Sequence, residues 1–291
     1  MKATQLSNLQ VITEDNSTYN LYSGTTAEYL FLDGAGMPPV RRILQGSPLQ
    51  HGMTDKGFRL EPRKMTLHLY ISAESESALA AKLDTIAYIF GPTTTALKLK
   101  ATRLDGVVRQ IDCFVDGTAD FPRSQQVGGD MPVTIPLVAL DPAWYDPTQQ
   151  VNTLAIPSTA SYNLTLSTAG ITWEDWPVLS ITGPATTFTV GHGYNFDSFS
   201  FTSAIPAGET FVIDLRPGYK KVYRQSDNAN RISYLNPVTL SAMATMRVFP
   251  EKWVRMLSGG LASNNLFFAN GTGTTGATLL TVSWYKRYLN L

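Results

Sequence analysis

The chain has 291 residues, of which 43% are hydrophobic and only 16% charged, and its 23 basic and 23 acidic side chains cancel. This length suits about two domains, and the lack of a basic excess argues against nucleic-acid binding through phosphate contacts. The apolar runs are too short to span a bilayer, and no apolar core follows Met1 as a secretory signal requires. Because Cys113 is the only cysteine, no internal disulfide can form. We therefore expect a soluble protein made in a cytosol.

Residues 33–71 predict a β-scaffold that presents a long polar loop. Glycines at 46, 52 and 57 allow unusual backbone angles, and the side chains between them offer hydrogen-bond donors with little net charge. We expect the loop, residues 45–59, to contact another protein. The candidate contact residues are Gln45, Leu49, Gln50, His51, Arg59 and, at the start of the next strand, Arg63.

One amphipathic helix is predicted over residues 73–90, after an alternating strand over 64–71. Four apolar residues recur at spacings of four, three and four, which places them on one helix face. They are Leu79, Leu83, Ile86 and Phe90. Ser72 is the predicted N-cap, and Gly91-Pro92 is predicted to end the helix with a left-handed glycine and a proline that cannot continue it. The apolar face indicates packing on a sheet.

Short strands and turns follow the helix. Alternation predicts a strand over residues 95–101. Asp105-Gly106 predicts a two-residue hairpin turn after it, because Asp-Gly tolerates the positive φ angles that such a turn needs. Cys113 lies in a strand-like run and is interpreted as a small buried hydrophobe. Residues 131–140 predict another strand, whose two prolines favour the edge of a sheet.

The proline-rich run over residues 141–147 predicts a stiff, extended connector between two domains. Trp144 and Tyr145 lie between its prolines and are expected to dock the connector onto a domain. We place the boundary at Pro147, giving domains over 1–147 and 148–291. The second half shows regularly spaced β-prone runs and no convincing helix, which predicts an antiparallel sandwich.

The sequence contains no recognisable pattern for catalysis or metal binding. Its three histidines are far apart and lack metal-ligand spacing, and neither a phosphate-binding loop nor a nucleophile elbow is present. Glu174-Asp175 is an acidic pair that only geometry could make into a glycosidase. Trp173 and Trp176 flank the pair and are a candidate platform for glycan stacking, although tryptophan is more often well buried. We predict no catalytic residue, no metal and no cofactor.

In the order and spacing of its residues, nearly the whole chain resembles the distal tail protein (Dit) family of long-tailed, siphovirus-type bacteriophages. The residues that carry the resemblance in the first half are Asp33-Gly34, residues 45–52, Pro62-Arg63, the helix, Asp105-Gly106 and the Asp141-Pro142-x-Trp144-Tyr145-Asp146-Pro147 run. In the second half they are residues 208–214, Gly218-Tyr219, Trp253 and residues 282–285.

The resemblance implies a mainly β chain, with an N-terminal split β-barrel carrying one α-helix and a C-terminal galectin-like antiparallel β-sandwich. It implies that residues 1–147 form a homo-hexameric ring at the distal end of the virion tail, after synthesis in the host bacterial cytoplasm. The ring would join the major tail tube protein to the tail-tip hub or tail-associated protein and leave a channel for DNA. Receptor-binding or side-fibre proteins are further partners, without specific nucleic-acid or membrane binding.

Three functions stay open on the sequence. The first is the structural ring hub. The second is a carbohydrate-binding adhesin that recognises the host surface, and it rests on Trp173, Trp176 and the tyrosine-rich second half. Some members of the family carry an inserted sugar-binding module, for which about 144 residues after Pro147 leave no room. The third is a tail-associated hydrolase.

Overall fold

The computed structural model describes residues 6–21, 28–46, 51–122, 126, 129–193, 197–250 and 265–291. Strands dominate this part of the chain, and they form antiparallel sheets, so the predicted mainly β class is confirmed. The chain divides into two compact units, one made of Met1–Pro147 with Tyr288–Leu291 and the other of Thr148–Arg287. The last four residues thus belong to the first unit, whereas the sequence analysis assigned them to the second domain.

The first unit contains a twisted main sheet and a separate two-stranded sheet. Its strands are β1 (Leu6–Ile12), β2 (Thr18–Asn20), β3 (Glu28–Asp33), β4 (Val40–Gln45), β5 (Thr54–Leu60), β6 (Arg63–Ser72), β7 (Leu97–Arg103), β8 (Val108–Val115), β9 (Asp130–Ala139) and β10 (Trp144–Tyr145). The main sheet has the order β2-β1-β7-β8-β9-β6-β3, and β10 pairs with β8. Within the described residues, β4 and β5 pair only with each other. We call this β4–β5 hairpin the arm.

The core of the first unit lies on one face of the main sheet. In β6, Met65, Leu67, Leu69 and Ile71 are at most 2% exposed, and their neighbours in the strand are more exposed. This alternation is what a strand with one buried face requires, and it confirms the strand predicted over 64–71. Each such side chain contributes about 1.5–3 kcal/mol of burial free energy.

The helix, α1 (Glu76–Ile89), starts later than predicted. Its N-cap is Ser75, whose Oγ accepts a hydrogen bond from the Ala78 amide at 3.2 Å. Ser72, the predicted cap, ends β6 instead, and its carbonyl accepts a hydrogen bond from Lys82 Nζ at 2.6 Å. The two serines lie one helical turn apart. Because β6 extends to Ser72, the helix begins after Ser75, which is the N-cap.

The predicted apolar face of α1 is confirmed, and the helix ends directly before Gly91-Pro92 as predicted, but without the predicted left-handed glycine. Leu79, Ile86 and Phe90 are buried and Leu83 packs partly buried against the same core. Ile89, which the four-residue pattern missed, is fully buried as well. The helix ends at Phe90, with φ −104° and ψ 20°, and Gly91 does not take the predicted left-handed conformation.

Strand β9 lies inside the sheet, between β8 and β6, so the prediction of an edge strand is wrong. Thr134 donates its amide to the Asp120 carbonyl, on the side of β9 away from β6. Pro132 and Pro136 have the same parity as Thr134, so their missing amides face that side too. There β8 pairs with only two residues of β9, and the unbroken pairing with β6 is unaffected.

The second unit is a sandwich of two antiparallel sheets, with the orders β11-β19-β13-β16-β17 and β12-β18-β14-β15. Its strands are β11 (Gln150–Ala155), β12 (Tyr162–Thr165), β13 (Val178–Thr182), β14 (Thr187–His192), β15 (Ser198–Phe201), β16 (Thr210–Asp214), β17 (Lys221–Arg224), β18 (Leu266–Thr272) and β19 (Leu279–Trp284). A short helix, α2 (Ala242–Thr245), and two 3₁₀ turns, Ile232–Tyr234 and Pro237–Thr239, correct the expectation of no helix in this half.

Aromatic and branched side chains fill the sandwich core. Phe188 and Phe267 from one sheet and Ile213 and Val282 from the other are at most 1% exposed. Exposed positions of the strands often carry paired hydroxyls, as where Thr153 and Thr281 lie 3.1 Å apart across β11 and β19. Such pairs satisfy polar groups without charge, which fits the low charged fraction of the chain.

The connector before the second unit is docked, as its aromatic residues predicted. Trp144 is fully buried, and the Tyr145 hydroxyl donates to Asp112 Oδ1 at 2.6 Å. The chain ends with a short strand, β20 (Arg287–Tyr288), which pairs with β10. Within the described residues, no helix has both the length and the apolarity of a membrane span.

Replacing Trp144 with alanine is expected to lower the free energy of unfolding by about 3–5 kcal/mol, because it empties a fully buried site. Urea unfolding followed by circular dichroism measures the change. Tyr88→Ala is the control, since that side chain is 65% exposed and its loss should cost about 0.5 kcal/mol or less. Equal losses in the two variants would contradict the docking of the connector.

Candidate protein-contact surface

Exposed apolar side chains concentrate in and around the arm. Sixteen large hydrophobic residues are exposed in the described part of the chain, and eight of them lie between residues 30 and 58. These eight are Leu30, Phe31, Met37, Val40, Ile43, Leu44, Met53 and Phe58. Scattered exposed hydrophobic residues are normal, but a concentration of this kind in one segment marks a surface that another molecule covers.

The arm has little support from its own chain. All six residues of β4 are exposed, and an isolated two-stranded hairpin is marginal in water. Its cross-strand contacts lie at the surface, for example Arg42, which pairs with Asp55 at 2.7 Å and lies 5.6 Å from the centre of the Phe58 ring. Such exposed pairs contribute about 1 kcal/mol or less. The arm therefore gains little stability from these surface contacts.

Basic side chains lie between these apolar residues along β4 and β5. The described arm carries Arg41, Arg42, Lys56 and Arg59 against one acid, Asp55. Arg59 also pairs with Glu61, just beyond β5, at 2.9 Å. Methionine, aromatic side chains and arginine are enriched in surfaces between proteins.

The structure changes the predicted contact loop in two ways. Gln45 ends β4 and Arg59 lies within β5, so both ends of the segment belong to a β-hairpin, where a polar loop was expected. Two exposed apolar side chains, Met53 and Phe58, lie among its polar residues. His51 lies in an exposed bend. The predicted contact residues Leu49 and Gln50 fall at 47–50, outside the described residues.

Arg63 is not available to a partner, and its prediction as a contact residue is wrong. It faces the core at the start of β6, is 1% exposed, and donates to backbone carbonyls of its own chain. The sequence analysis missed Ile43, Leu44 and Phe58, because Arg41-Arg42 and Gly57 interrupt the alternation that marks a strand. The run from Val40 to Leu44 is nevertheless β-prone, and that signal could have located β4.

The tryptophans of the predicted glycan platform lie among charged groups. Lys220 Nζ and Arg247 Cζ each lie 4.7 Å from the centre of the Trp176 ring. Trp173 forms a backbone bridge with Arg287. Glycan stacking needs an open ring face, and these cations already lie over Trp176. The platform stays a prediction, which a glycan array would check.

The acidic pair between the tryptophans serves the fold. Glu174 accepts a hydrogen bond from Arg247 Nη1 at 2.6 Å. Asp175 is 7% exposed and accepts the Tyr285 amide at 2.6 Å. Both carboxylates thus hold neighbouring segments of the second unit together.

The remaining titratable candidates are also enclosed. His192 is fully buried next to Phe267, with ring centres 4.9 Å apart. In the described residues, no group of three His, Cys, Asp or Glu side chains is arranged to hold a metal ion. Cys113 is 1% exposed, and burial raises the pKa of its thiol to about 12.

No protein-family model matches the sequence, and no curated protein matches it. Solved structures with a similar fold include phage tail and baseplate proteins. The Dit (gp 19.1) protein of phage SPP1 has a TM-score of 0.64 and 11% identity, covering 96% of this chain and 98% of that chain. A protein in the activated, Ca-containing baseplate of phage P2 has a TM-score of 0.52 and 9% identity, covering 95% and 97%.

The fold therefore belongs to the class seen in phage tail and baseplate proteins, and its likeness extends over nearly the full length of both chains. More particularly, it is the fold of the distal tail protein Dit. The resemblance to Dit predicted from the sequence is confirmed as a likeness of fold.

The thiol of Cys113 is expected to be almost inert in the native protein. With a pKa of about 12, a fraction on the order of one in 10,000 is thiolate at pH 8, and only the thiolate reacts. Ellman's reagent should give no signal within an hour at pH 8 and one equivalent at once in 6 M guanidinium. Rapid native labelling would contradict the burial of this strand.

Proposed function

We propose that the chain is a distal tail protein, a structural component of a phage tail tip that forms a homo-hexameric ring hub. The ring joins the major tail tube protein to the tail-tip or baseplate hub proteins and leaves a central channel for DNA. The observation that carries the proposal is the fold shared over 96% of the chain with SPP1 Dit, which is described as a paradigm of hub adsorption apparatus.

The exposed arm supports assembly into a ring. A closed ring is built from heterologous contacts, in which one surface of a subunit meets a different surface of the next. The arm offers such a surface, since Ile43 is 49% exposed, Leu44 53% and Phe58 44%. Covering these side chains with a neighbouring copy removes apolar area from water and stabilises a hairpin that has little support of its own.

The two units take different roles in this proposal. The first unit is a split β-barrel that forms the ring, and the second is a galectin-like sandwich that faces outward. The second unit offers surface to receptor-binding or side-fibre proteins. DNA passes through the channel without specific contacts, in keeping with a net charge of zero. The role is structural, and the acidic pair Glu174-Asp175 serves packing.

Light scattering coupled to gel filtration tests the assembly. The expected mass is six times the 31.9 kDa of the chain, either alone or after addition of the tail tube and hub proteins. A stable dimer or trimer, unchanged by those proteins, would contradict the proposed ring.

Leu44→Glu combined with Phe58→Glu is expected to abolish the hexamer while leaving the melting temperature within about 2 °C, because both side chains are exposed within one subunit and covered only in the ring. The matched control is Val238→Glu in the second unit, which changes an 85% exposed side chain and should leave the hexamer intact. Intact hexamers in the double variant would show that the arm lies outside the ring contact.

A further inference from the structure

Arg63 is a buried cation that is held by carbonyl groups. It donates from Nε to Pro142 O at 2.8 Å, from Nη2 to Leu289 O at 2.9 Å, and from Nη1 to Gly34 O at 2.9 Å and to Gly36 O. Burial lowers the pKa of its guanidinium to about 10, which still leaves it charged near neutral pH. Burying a charge is costly unless its donors are satisfied, so these four carbonyls are what keeps the side chain in place.

The carbonyls come from three separate segments of the first unit. Gly34 and Gly36 lie between β3 and the arm, in a segment that we call the arm root, residues 34–39. Pro142 precedes β10, and Leu289 belongs to the last four residues, Tyr288–Leu291, which we call the strap. One side chain thus fastens the arm root to the two places where the chain leaves and re-enters the first unit.

Each of the four residues of the strap contacts another part of the first unit. Arg109 Nη1 donates to Asn290 O at 2.5 Å, and the same guanidinium lies 3.9 Å from the centre of the Tyr288 ring. The Tyr288 hydroxyl donates to Asp146 at 3.3 Å. At the end of the strap, the Leu291 amide donates to the Ala35 carbonyl at 3.2 Å, which joins the strap directly to the arm root.

The arm root passes close to the backbone of β6 at Gly34. Gly34 has φ +77°, and a Cβ atom there would lie 2.2 Å from the Lys64 carbonyl. The root therefore runs hard against the start of β6, where Arg63 projects. Beyond it, the arm pairs with no other strand of the unit. The contacts of the arm root with Arg63 and the strap therefore orient the arm.

We propose that Arg63 is a positioning residue, which together with the strap fixes the direction in which the arm leaves the first unit. The proposed function adds that this direction presents the exposed apolar side chains of the arm to the next subunit, and that part rests on the proposed function. The direction itself is a property of one chain. Because the strap follows Arg287 directly, the covalent path from the second unit ends on the residues that hold the arm root.

A distance measurement inside one subunit tests the proposal. Spin labels are attached at Lys56→Cys in the arm and Ala80→Cys on α1, both exposed positions, while native Cys113 is buried and stays unlabelled. Tenfold excess of unlabelled protein ensures that double electron–electron resonance records distances within single chains. The native protein should give one narrow distance distribution.

Arg63→Lys should at least double the width of that distribution. Lysine keeps the charge, but a compact ammonium on a flexible stem cannot reproduce the planar guanidinium that spans three segments. Tyr288→Ala, which removes the ring beneath Arg109, should broaden it in the same way. Arg103→Lys is the control, because Arg103 pairs with Asp105 at 3.0 Å and makes no contact with the root.

Near-ultraviolet circular dichroism shows whether each variant is folded. An unchanged distribution in folded Arg63→Lys overturns the proposal. If Arg63→Lys does not fold, Tyr288→Ala is the test instead. An unchanged width of the distance distribution in folded Tyr288→Ala also overturns the proposal. Broadening in Arg103→Lys as well would show general loosening and also count against it. The distribution is measured without reference to assembly, so a failure to form hexamers would remove the ring and leave the positioning role standing.

Discussion

The pairing of β6 with β9 is the constraint on which the first unit depends. Its register joins ten residue pairs without a break, from Arg63 with Ala139 to Ser72 with Asp130. A slip of one residue would turn Leu67 and Leu69 out of the core and carry Lys64 into it. The same register places Arg63 beside the end of β9, from which the chain runs on to Pro142. At the other end it releases the chain into α1. Arm root, connector and helix therefore all take their positions from one strand pair.

The sequence predicts those parts of the structure in which local pattern and burial agree. The alternation over 64–71 and the apolar face of α1 led to correct elements, because each buries its pattern against the same core. Asp105-Gly106 likewise lies in the hairpin turn between β7 and β8, with Gly106 at φ 81°, but Asp105 does not take the positive φ of the predicted two-residue turn. In the sandwich, short strands with turns between them were enough to predict the architecture. Each of these features depends on residues that lie close together in the sequence.

Other features depend on neighbours that are distant in the sequence. The two prolines of β9 favour an edge by local rules, and only the short pairing with β8 shows how an interior strand tolerates them. Arg63 has the sequence context of a surface residue, yet carbonyls from positions 34, 142 and 289 enclose it. Residues 45–59 were predicted as a polar loop because of their glycines and hydrogen-bonding side chains, whereas Arg59 lies within β5 and Gln45 ends β4. No local pattern distinguishes a side chain that a neighbour will cover from one that is merely exposed.

The role proposed for this fold, which SPP1 Dit shares at 11% identity, is that of a ring-forming hub. Electron microscopy of the purified assembly tests it most directly, with class averages taken along the symmetry axis. We expect closed six-fold rings with an open centre, in which the arms take part in the contacts between neighbouring subunits. Particles with two-fold symmetry, or rings in which the arms point free into solvent, would contradict it.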